Sequence, residues 1–303
     1  MLIRLAGVVA VVVPALAAPA APSFVEIDIG FSAVAAREVN WGDYDNDGDL
    51  DVALEGLDAG TRVTRIYRNT SGAFAHETNA VFFGYNEGPI VFGDYDNDGD
   101  LDLAFGGWGG TGTGSRMHRN DGGGIFPYLD NGLRGMKGAD GAWADVDNDG
   151  DLDLILVGES YDLPQGDYAQ IYRNDGNDVF TLVADLPGVY LGEVAVGDYD
   201  RDGDVDLALT GRTVGSRIYR NDGGIFTDLQ AGLPALMNSS VAWADIDNDG
   251  DLDLALCGSS NGSTATHFAI YENVAGAFTA LPLSLPAVHS GELDWADYDN
   301  DGD

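Results

Sequence analysis

The stretch Asp43-Tyr44-Asp45-Asn46-Asp47-Gly48-Asp49-Leu50-Asp51 decides how the chain is read. Five Asp residues alternate with other residues around one Gly, and the pattern returns at 94–102, 145–153, 198–206 and 245–253. A sixth copy begins at Asp297, and the sequence ends inside it at Asp303. The first Asp residues of successive copies are 51, 51, 53, 47 and 52 residues apart. A period near 50 is the mark of a propeller or a repeat array.

Working outward, each unit has the same parts. An apolar lead-in (Val39-Asn40-Trp41, Val241-Ala242-Trp243) precedes the acidic loop, and an apolar run such as Leu254-Ala255-Leu256 follows it. A Gly comes next (Gly56, Gly107, Gly158, Gly211 or Gly258), then a connection of variable length. Ile-Tyr-Arg-Asn or a close variant, a Gly-rich turn and a Phe complete the unit. These segments are five to seven residues long, rich in Val, Ile, Leu and aromatics, and bounded by Asn, Asp and Gly. They read as four short strands. The second strand is apolar on both faces, as in Leu154-Ile155-Leu156-Val157, which fits a sheet packed between two other sheets.

Phe74, Phe126, Phe180, Phe226 and Phe278 precede the next loop by 18 to 20 residues, and Phe24 precedes Asp43 by 19. Residues 24–31 therefore read as a fourth strand without its own first three, available to complete the last blade and remove an open sheet edge. The expected fold is all-β: a β-propeller of four-stranded antiparallel blades at about 37–80, 88–131, 138–187, 192–231 and 238–285. A partial sixth blade, 290–303, would be closed by 24–31. The stop at Asp303 reads as a C-terminal truncation of a longer protein.

The acidic loops carry the chemistry. Alternating Asp residues in a tight turn aim carboxylate oxygens at one centre, Gly at position 6 lets the backbone reverse, and the position-7 carbonyl adds an oxygen. An all-oxygen set without His or Cys suits calcium better than zinc or copper, and magnesium keeps more water in a smaller shell. The candidate ligands are Asp43, Asp45, Asp47, Asp49 and Asp51; Asp94, Asp96, Asp98, Asp100 and Asp102; Asp145, Asp147, Asp149, Asp151 and Asp153; Asp198, Asp200, Asp202, Asp204 and Asp206; Asp245, Asp247, Asp249, Asp251 and Asp253; and Asp297, Asp299, Asp301 and Asp303 in the incomplete copy. One Ca2+ per loop is expected. An EF-hand is excluded because Leu54, Phe105, Leu156, Leu209 and Leu256 occupy position 12, where that motif needs Glu.

Composition agrees. The chain has 303 residues with 14 basic and 51 acidic side chains, a net charge of -37 that opposes binding to nucleic acid or anionic membranes. Its 45% hydrophobic residues are enough for a packed core. Residues 1–20 read as a secretory signal peptide, with Arg4, an apolar run over 5–13 and small residues around Ala15-Leu16-Ala17. No segment is long and apolar enough to span a bilayer. The lone Cys257 permits no internal disulfide and reads as a packing residue. A secreted or cell-surface location follows.

With five DxDxDGxxD loops followed by Leu-Asp-Leu-Ala-Leu or variants such as Asp206-Leu207-Ala208-Leu209, the chain resembles the FG-GAP and VCBS repeat families over 24–303. The propeller of integrin alpha subunits is their best-known relative. The resemblance implies side-chain ligands at loop positions 1, 3, 5 and 9 and a carbonyl ligand at 7. Arg201 replaces Asn at position 4 of the fourth loop, with its side chain expected to point outward. The Phe-Gly to Gly-Ala-Pro signature is reduced to Phe105-Gly106-Gly107.

The loops and the Asn-Asp-Gly-Gly turns should share one face of the blades. The connections at 57–65, 108–116, 159–170, 212–217 and 259–269 share the other and differ in length and composition. Variable connections on a rigid scaffold are where recognition resides. Trp108, Tyr161, His267, Tyr85 and Tyr190 are the candidates there for a protein or glycan partner. The expected function is a calcium-binding adhesion or binding module. The alternative is a carbohydrate-active propeller lyase or hydrolase, for which a cluster of His, Tyr, Arg and Glu at the central channel would be the sign. The four histidines (His76, His118, His267, His289) fall at unrelated repeat positions, and no Gly-x-Ser-x-Gly elbow or phosphate loop is present.

Overall fold

The apolar runs after the acidic loops become the second strand of each sheet because both their faces are covered. Leu154 and Leu156 pack with Tyr95, Ala104 and Met117 on one side. Ile155 and Val157, pointing the other way, pack with Val194, Leu207 and Leu209. The alternation follows from the two-residue period of a strand. It turns one continuous apolar run into two interfaces.

The computed structural model describes residues 34–162, 164–260, 265–283, 288 and 291–296. These residues are all-β and form five four-stranded antiparallel sheets in chain order. Sheet 1 is β1 (Val34–Gly42), β2 (Asp51–Asp58), β3 (Thr61–Thr70) and β4 (Ala73–His76). Sheet 2 is β5 (Ile90–Gly93), β6 (Asp102–Trp108), β7 (Thr113–His118) and β8 (Tyr128–Leu129). Sheet 3 is β9 (Lys137–Ala144), β10 (Asp153–Ser160), β11 (Gly166–Asn174) and β12 (Phe180–Pro187). After the short β13 (Val189–Tyr190), sheet 4 is β14 (Val194–Gly197), β15 (Asp206–Leu209), β17 (Arg217–Asn221) and β18 (Phe226–Asp228), while β16 (Arg212–Thr213) pairs with β13. Sheet 5 is β19 (Leu236–Ala244), β20 (Asp253–Ser260), β21 (Thr266–Val274) and β22 (Ala277–Ala280).

Within each sheet neighbours in sequence are neighbours in space, the up-and-down order of a propeller blade. First strands also meet one another, β1 with β5, β5 with β9, β9 with β14 and β14 with β19. The core lies between consecutive sheets: Tyr44, Ala53 and Ile66 of sheet 1 face Ile90, Leu103 and Phe105 of sheet 2, and Tyr199, Ala208 and Ile218 of sheet 4 face Leu236, Val241 and Leu256 of sheet 5. Three of the Phe residues that announce the fourth strands pack on the position-2 Tyr of the preceding sheet's loop, with centroids 5.7 Å apart for Tyr44–Phe126, 5.5 Å for Tyr95–Phe180 and 5.6 Å for Tyr199–Phe278. The fold is thus propeller-like.

Two details differ from the sequence expectation. Phe126 lies ahead of the two-residue β8 rather than in it. The connections taken as variable loops are largely strand, because β2 and β3 run on to a turn at Ala59-Gly60 and β10 runs to Ser160. Cross-strand pairing to the hairpin tip satisfies backbone groups that a loop would leave to water. The signal peptide at 1–20, the closing strand at 24–31 and the sixth loop at 297–303 lie outside the described residues.

Candidate metal centres and the opposite face

The five described loops share one hydrogen-bond plan. Position 1 is the hub: Asp43 accepts the Asp47 amide at 3.0 Å and the Gly48 amide at 2.9 Å, and Asp94, Asp145, Asp198 and Asp245 repeat the pair. Gly48 at position 6 has φ 91°, a region that glycine enters without steric cost. Position 9 is fully buried. Asp51 accepts the Tyr44 amide at 3.1 Å and the Asn69 amide at 2.7 Å, tying the loop to the third strand.

This plan gathers three of the five carboxylates. Positions 1, 3 and 9 bring ligand oxygens within 4.8 Å of one another in every described loop: Asp43, Asp45 and Asp51; Asp94, Asp96 and Asp102; Asp145, Asp147 and Asp153; Asp198, Asp200 and Asp206; Asp245, Asp247 and Asp253. Asp47, Asp98, Asp149, Asp202 and Asp249 at position 5 stand apart from these triads, each with Oδ1 accepting the position-7 amide. The position-7 side chains turn outward to neighbouring turns, as Asp49 does to the Ser71 amide and Asp204 to the Gly223 amide.

The triads fit a hard cation. Oδ1 of Asp45, Asp147 and Asp200 is buried without a hydrogen-bond partner, and each lies in its triad. Burial pushes the position-9 carboxyls up, against the lowering effect of their two amide bonds: Asp51 to about 6, Asp102 to about 8, Asp153 to about 6 and Asp206 to about 7. Crowded, desolvated carboxylates resist ionisation until a positive charge joins them. The donors are all oxygens, as Ca2+ or Mg2+ requires.

The sequence did not reveal how closely these loops are joined. The Asn ending the third strand is a cross-link. Asn174 Nδ2 donates to the Tyr95 carbonyl of the preceding loop at 2.7 Å and to the Leu152 carbonyl of its own at 3.3 Å, while its Oδ1 accepts the Gly176 amide at 3.0 Å. Asn120, Asn221 and Asn273 make the same inter-sheet bond to Tyr44, Val146 and Tyr199 at 2.8, 2.8 and 2.9 Å. The invariance of Asn in Ile-Tyr-Arg-Asn while Tyr gives way to His118 and Arg to Glu272 was the available signal. The adjacent Arg68, Arg119, Arg173 and Arg220 pair with nearby carboxylates at the surface.

Position 4 forms a second set of joints. Asn46, Asn97 and Asn148 donate to Asp100, Asp151 and Asp204 at position 7 of the next loop, at 2.8, 2.8 and 2.5 Å. Arg201 does not point outward as expected. Its guanidinium meets Asp251 at 2.6 Å, because the local backbone aims the position-4 side chains of the first four loops at the following loop.

A further set of carboxylates lies five residues before the loops, in the first strands at Glu38 and Asp140 and just ahead of β14 at Glu193. Glu38, Asp140, Glu193 and Glu292 share this register, with Pro89 and Ser240 in the remaining copies. Burial raises Glu38, and the nearby charges of Asp140, Glu193, Glu292 and Glu55 raise it further. Glu193 is raised for the same reasons, burial first and then Asp140 and Glu292. Carboxylates from the first, third and fourth sheets thus lie within electrostatic reach of one another, which the curved succession of sheets explains. Asp140 accepts the Val194 amide at 2.9 Å and Glu193 the Val241 amide at 3.3 Å, so each links neighbouring first strands. Counting back a constant distance from each acidic loop would have found them.

On the opposite face the strand ends bring three of the five candidate aromatics together. Lys137 Nζ lies 4.7 Å from the ring centre of Tyr161 and 5.7 Å from those of Trp108 and Tyr190, with Glu159 at 3.4 Å. Trp108 and Tyr161 meet edge to face at 5.4 Å, and Arg212 lies 5.0 Å over Tyr190. Gly138 makes room, since a Cβ there would come within 2.2 Å of the Tyr190 ring. Tyr161 is exposed, while Trp108 and Tyr190 are half-buried. Tyr85 is instead buried against Phe105, its hydroxyl accepting from Arg116, and His267 sits apart in β21. His118 is buried among Phe82, Phe105 and Tyr128, with its Nδ1 2.8 Å from the Phe126 carbonyl oxygen. Cys257 is fully buried and its thiol is pushed up to about 11 by that burial, as suits a packing residue.

Comparison with known proteins bears on the loops directly. The model of the FG-GAP-like repeat matches residues 43–105, 145–209 and 198–256, each match starting at the first Asp of an acidic loop. The chain belongs to the FG-GAP-like repeat family. No curated protein matches the chain. In this FG-GAP-like protein each matched segment begins with a candidate metal loop and ends in the second strand of the following sheet, at Phe105, Leu209 or Leu256. Among the described residues, no helix is long and apolar enough to cross a membrane.

Proposed function

We propose that this chain is a secreted, calcium-stabilised β-propeller that binds an extracellular protein or glycan partner through the face opposite its acidic loops. The five described sheets are five blades, and 290–303 with 24–31 completes a sixth. The triads at loop positions 1, 3 and 9 are the calcium-binding cores, and bound calcium supplies the positive charge that lets these carboxylates stay ionised and packed. Positions 5 and 7 complete the shell through the ion's flexible oxygen coordination.

The observation that carries the binding reading is the cluster of Trp108, Tyr161 and Tyr190 around Lys137. Aromatic faces offer stacking surface, and the cations beside them offer hydrogen bonds and charge, the combination enriched where proteins recognise partners. The loop face is acidic and structurally committed, which leaves this cluster as the recognition surface. The protein acts as a module for binding rather than as an enzyme.

The test is a glycan and protein array probed with calcium-loaded protein and with the Trp108→Ala/Tyr161→Ala double variant. Binding that falls at least tenfold in the variant, with an unchanged melting temperature, supports the reading. Binding that is unaffected by the double variant, or turnover of a polysaccharide that Glu193→Gln abolishes, sinks it in favour of another surface or the enzyme.

A further inference from the structure

The position-4 joints between loops are not equivalent. Three are neutral carboxamides: Asn46 also donates to the Gly99 carbonyl at 3.0 Å, and Asn97 to the Gly150 carbonyl at 3.5 Å. The fourth is a cation. Arg201 Nη2 lies 2.6 Å from Asp251 Oδ1, and its Nη1 donates to the Asp249 carbonyl at 3.3 Å. Both acceptors belong to the fifth loop, whose triad is Asp245, Asp247 and Asp253.

We infer that the position-4 residue of each loop tunes the metal affinity of the loop that follows it, and that Arg201 weakens the fifth loop relative to the same loop with Asn at position 201. The inference rests on the calcium reading above. A fixed positive charge beside the loop opposes an incoming dication, and it also neutralises Asp251, whose carboxylate would otherwise attract one. One positive charge roughly 8 Å from a divalent ion in a water-like dielectric weakens binding about five- to tenfold. The Asn residues at the other joints hold the same geometry without charge. The cations beside the triads of the first and third loops are instead Arg68, 3.7 Å from Asp45, and Arg173, 4.0 Å from Asp147, a place that Glu272 takes in the fifth repeat. The effect of Arg201 is therefore read within the fifth loop and not as a ranking of the five.

The backbone supports reading Arg201 as the departure. Position 4 has φ 58° in the first, second and fifth loops, 60° in the third and 59° at Arg201. Asn tolerates this left-handed region, whereas a long side chain is uncommon there. The fourth loop therefore carries Arg at a position whose conformation favours Asn. The Arg201 side chain is 57% exposed and that of Asp251 is 13% exposed. The effect should accordingly be screened by salt.

The full chain, stripped with a chelator and dialysed, is titrated with calcium by calorimetry, and the ions bound per molecule are counted by native mass spectrometry. Asp247→Asn should remove one site and so identify the fifth loop's. Arg201→Asn should tighten that site about five- to tenfold, and raising the ionic strength should narrow the difference between the wild type and Arg201→Asn. Asn97→Arg should weaken the third loop's site by a similar factor. If Arg201→Asn leaves every site unchanged, or tightens a site that Asp247→Asn does not remove, while calcium still binds, this inference fails and the calcium reading stands. If the wild type binds no calcium, both fall. Arg201→Asn suits its backbone conformation, so the central comparison is not exposed to misfolding.

Discussion

The loop face and the opposite face are built from the same strands and obey different rules. On the loop face all five described copies repeat the same amide bonds to the same carboxylates, down to distances of 2.7 or 2.8 Å between position 9 and the third-strand Asn amide. On the opposite face the first four sheets differ: Ala59-Gly60 closes a tight turn in sheet 1, Trp108 and Tyr161 hold Lys137 between sheets 2 and 3, and β16 pairs back to β13 in sheet 4. A bound ion tolerates little variation in its ligands, whereas a hairpin tip needs only its backbone satisfied and is free to vary. Uniformity therefore marks the loop face, and irregularity marks the face proposed above for recognition.

The largest test of that contrast is chelation. Ions that bind only the folded chain stabilise it by mass action, so EDTA should lower the melting temperature on the order of 10 °C when several sites empty. Binding through the aromatic face should fall only as the fold loosens. An unchanged melt, with no calcium by elemental analysis, would remove the loop face from the metal account.

Next in size is the cross-link. Asn174→Ala leaves the Tyr95 and Leu152 carbonyls without their donor and should cost about 2–4 kcal/mol in urea unfolding. A loss below about 0.5 kcal/mol would mean that water replaces the carboxamide and that the sheets are not joined through their loops.

A pH-dependent effect concerns the carboxylates five residues before the loops. The native value of Glu193 lies above that of a free Glu near 4.3, so the folded state holds the proton more tightly. The contribution is present in full below about pH 4 and is lost as pH rises through the native value. In saturating calcium, which silences the loops, stability should fall from pH 5 to pH 8 by up to about 1.4 kcal/mol per unit for each proton released. Glu193→Gln should flatten that slope. A slope that rises with pH, or is unaltered in Glu193→Gln, would place the titration elsewhere.

Much of this was open to a reader of the chain alone. A repeat near 50 residues, short segments apolar on both faces and Asp at alternate positions are local patterns, and local patterns follow from strand periodicity and ion chemistry. Those patterns point to an all-β chain of stacked sheets and to Asp43, Asp45 and Asp51 with their counterparts as candidate ligands. Three things waited for the tertiary structure. The separation of Asp47 from the triad depends on which amide its carboxylate caps. The reach of Arg201 to Asp251 spans 50 positions in sequence and is decided by the spacing of neighbouring sheets. The gathering of Trp108, Lys137, Tyr161 and Tyr190 depends on strand ends from two sheets and the short β13 meeting at one place. Contacts within a repeat are written in its residue order, because strand and turn geometry act over a few residues. Contacts between repeats depend on how sheets pack, and that is settled only when the whole chain is folded.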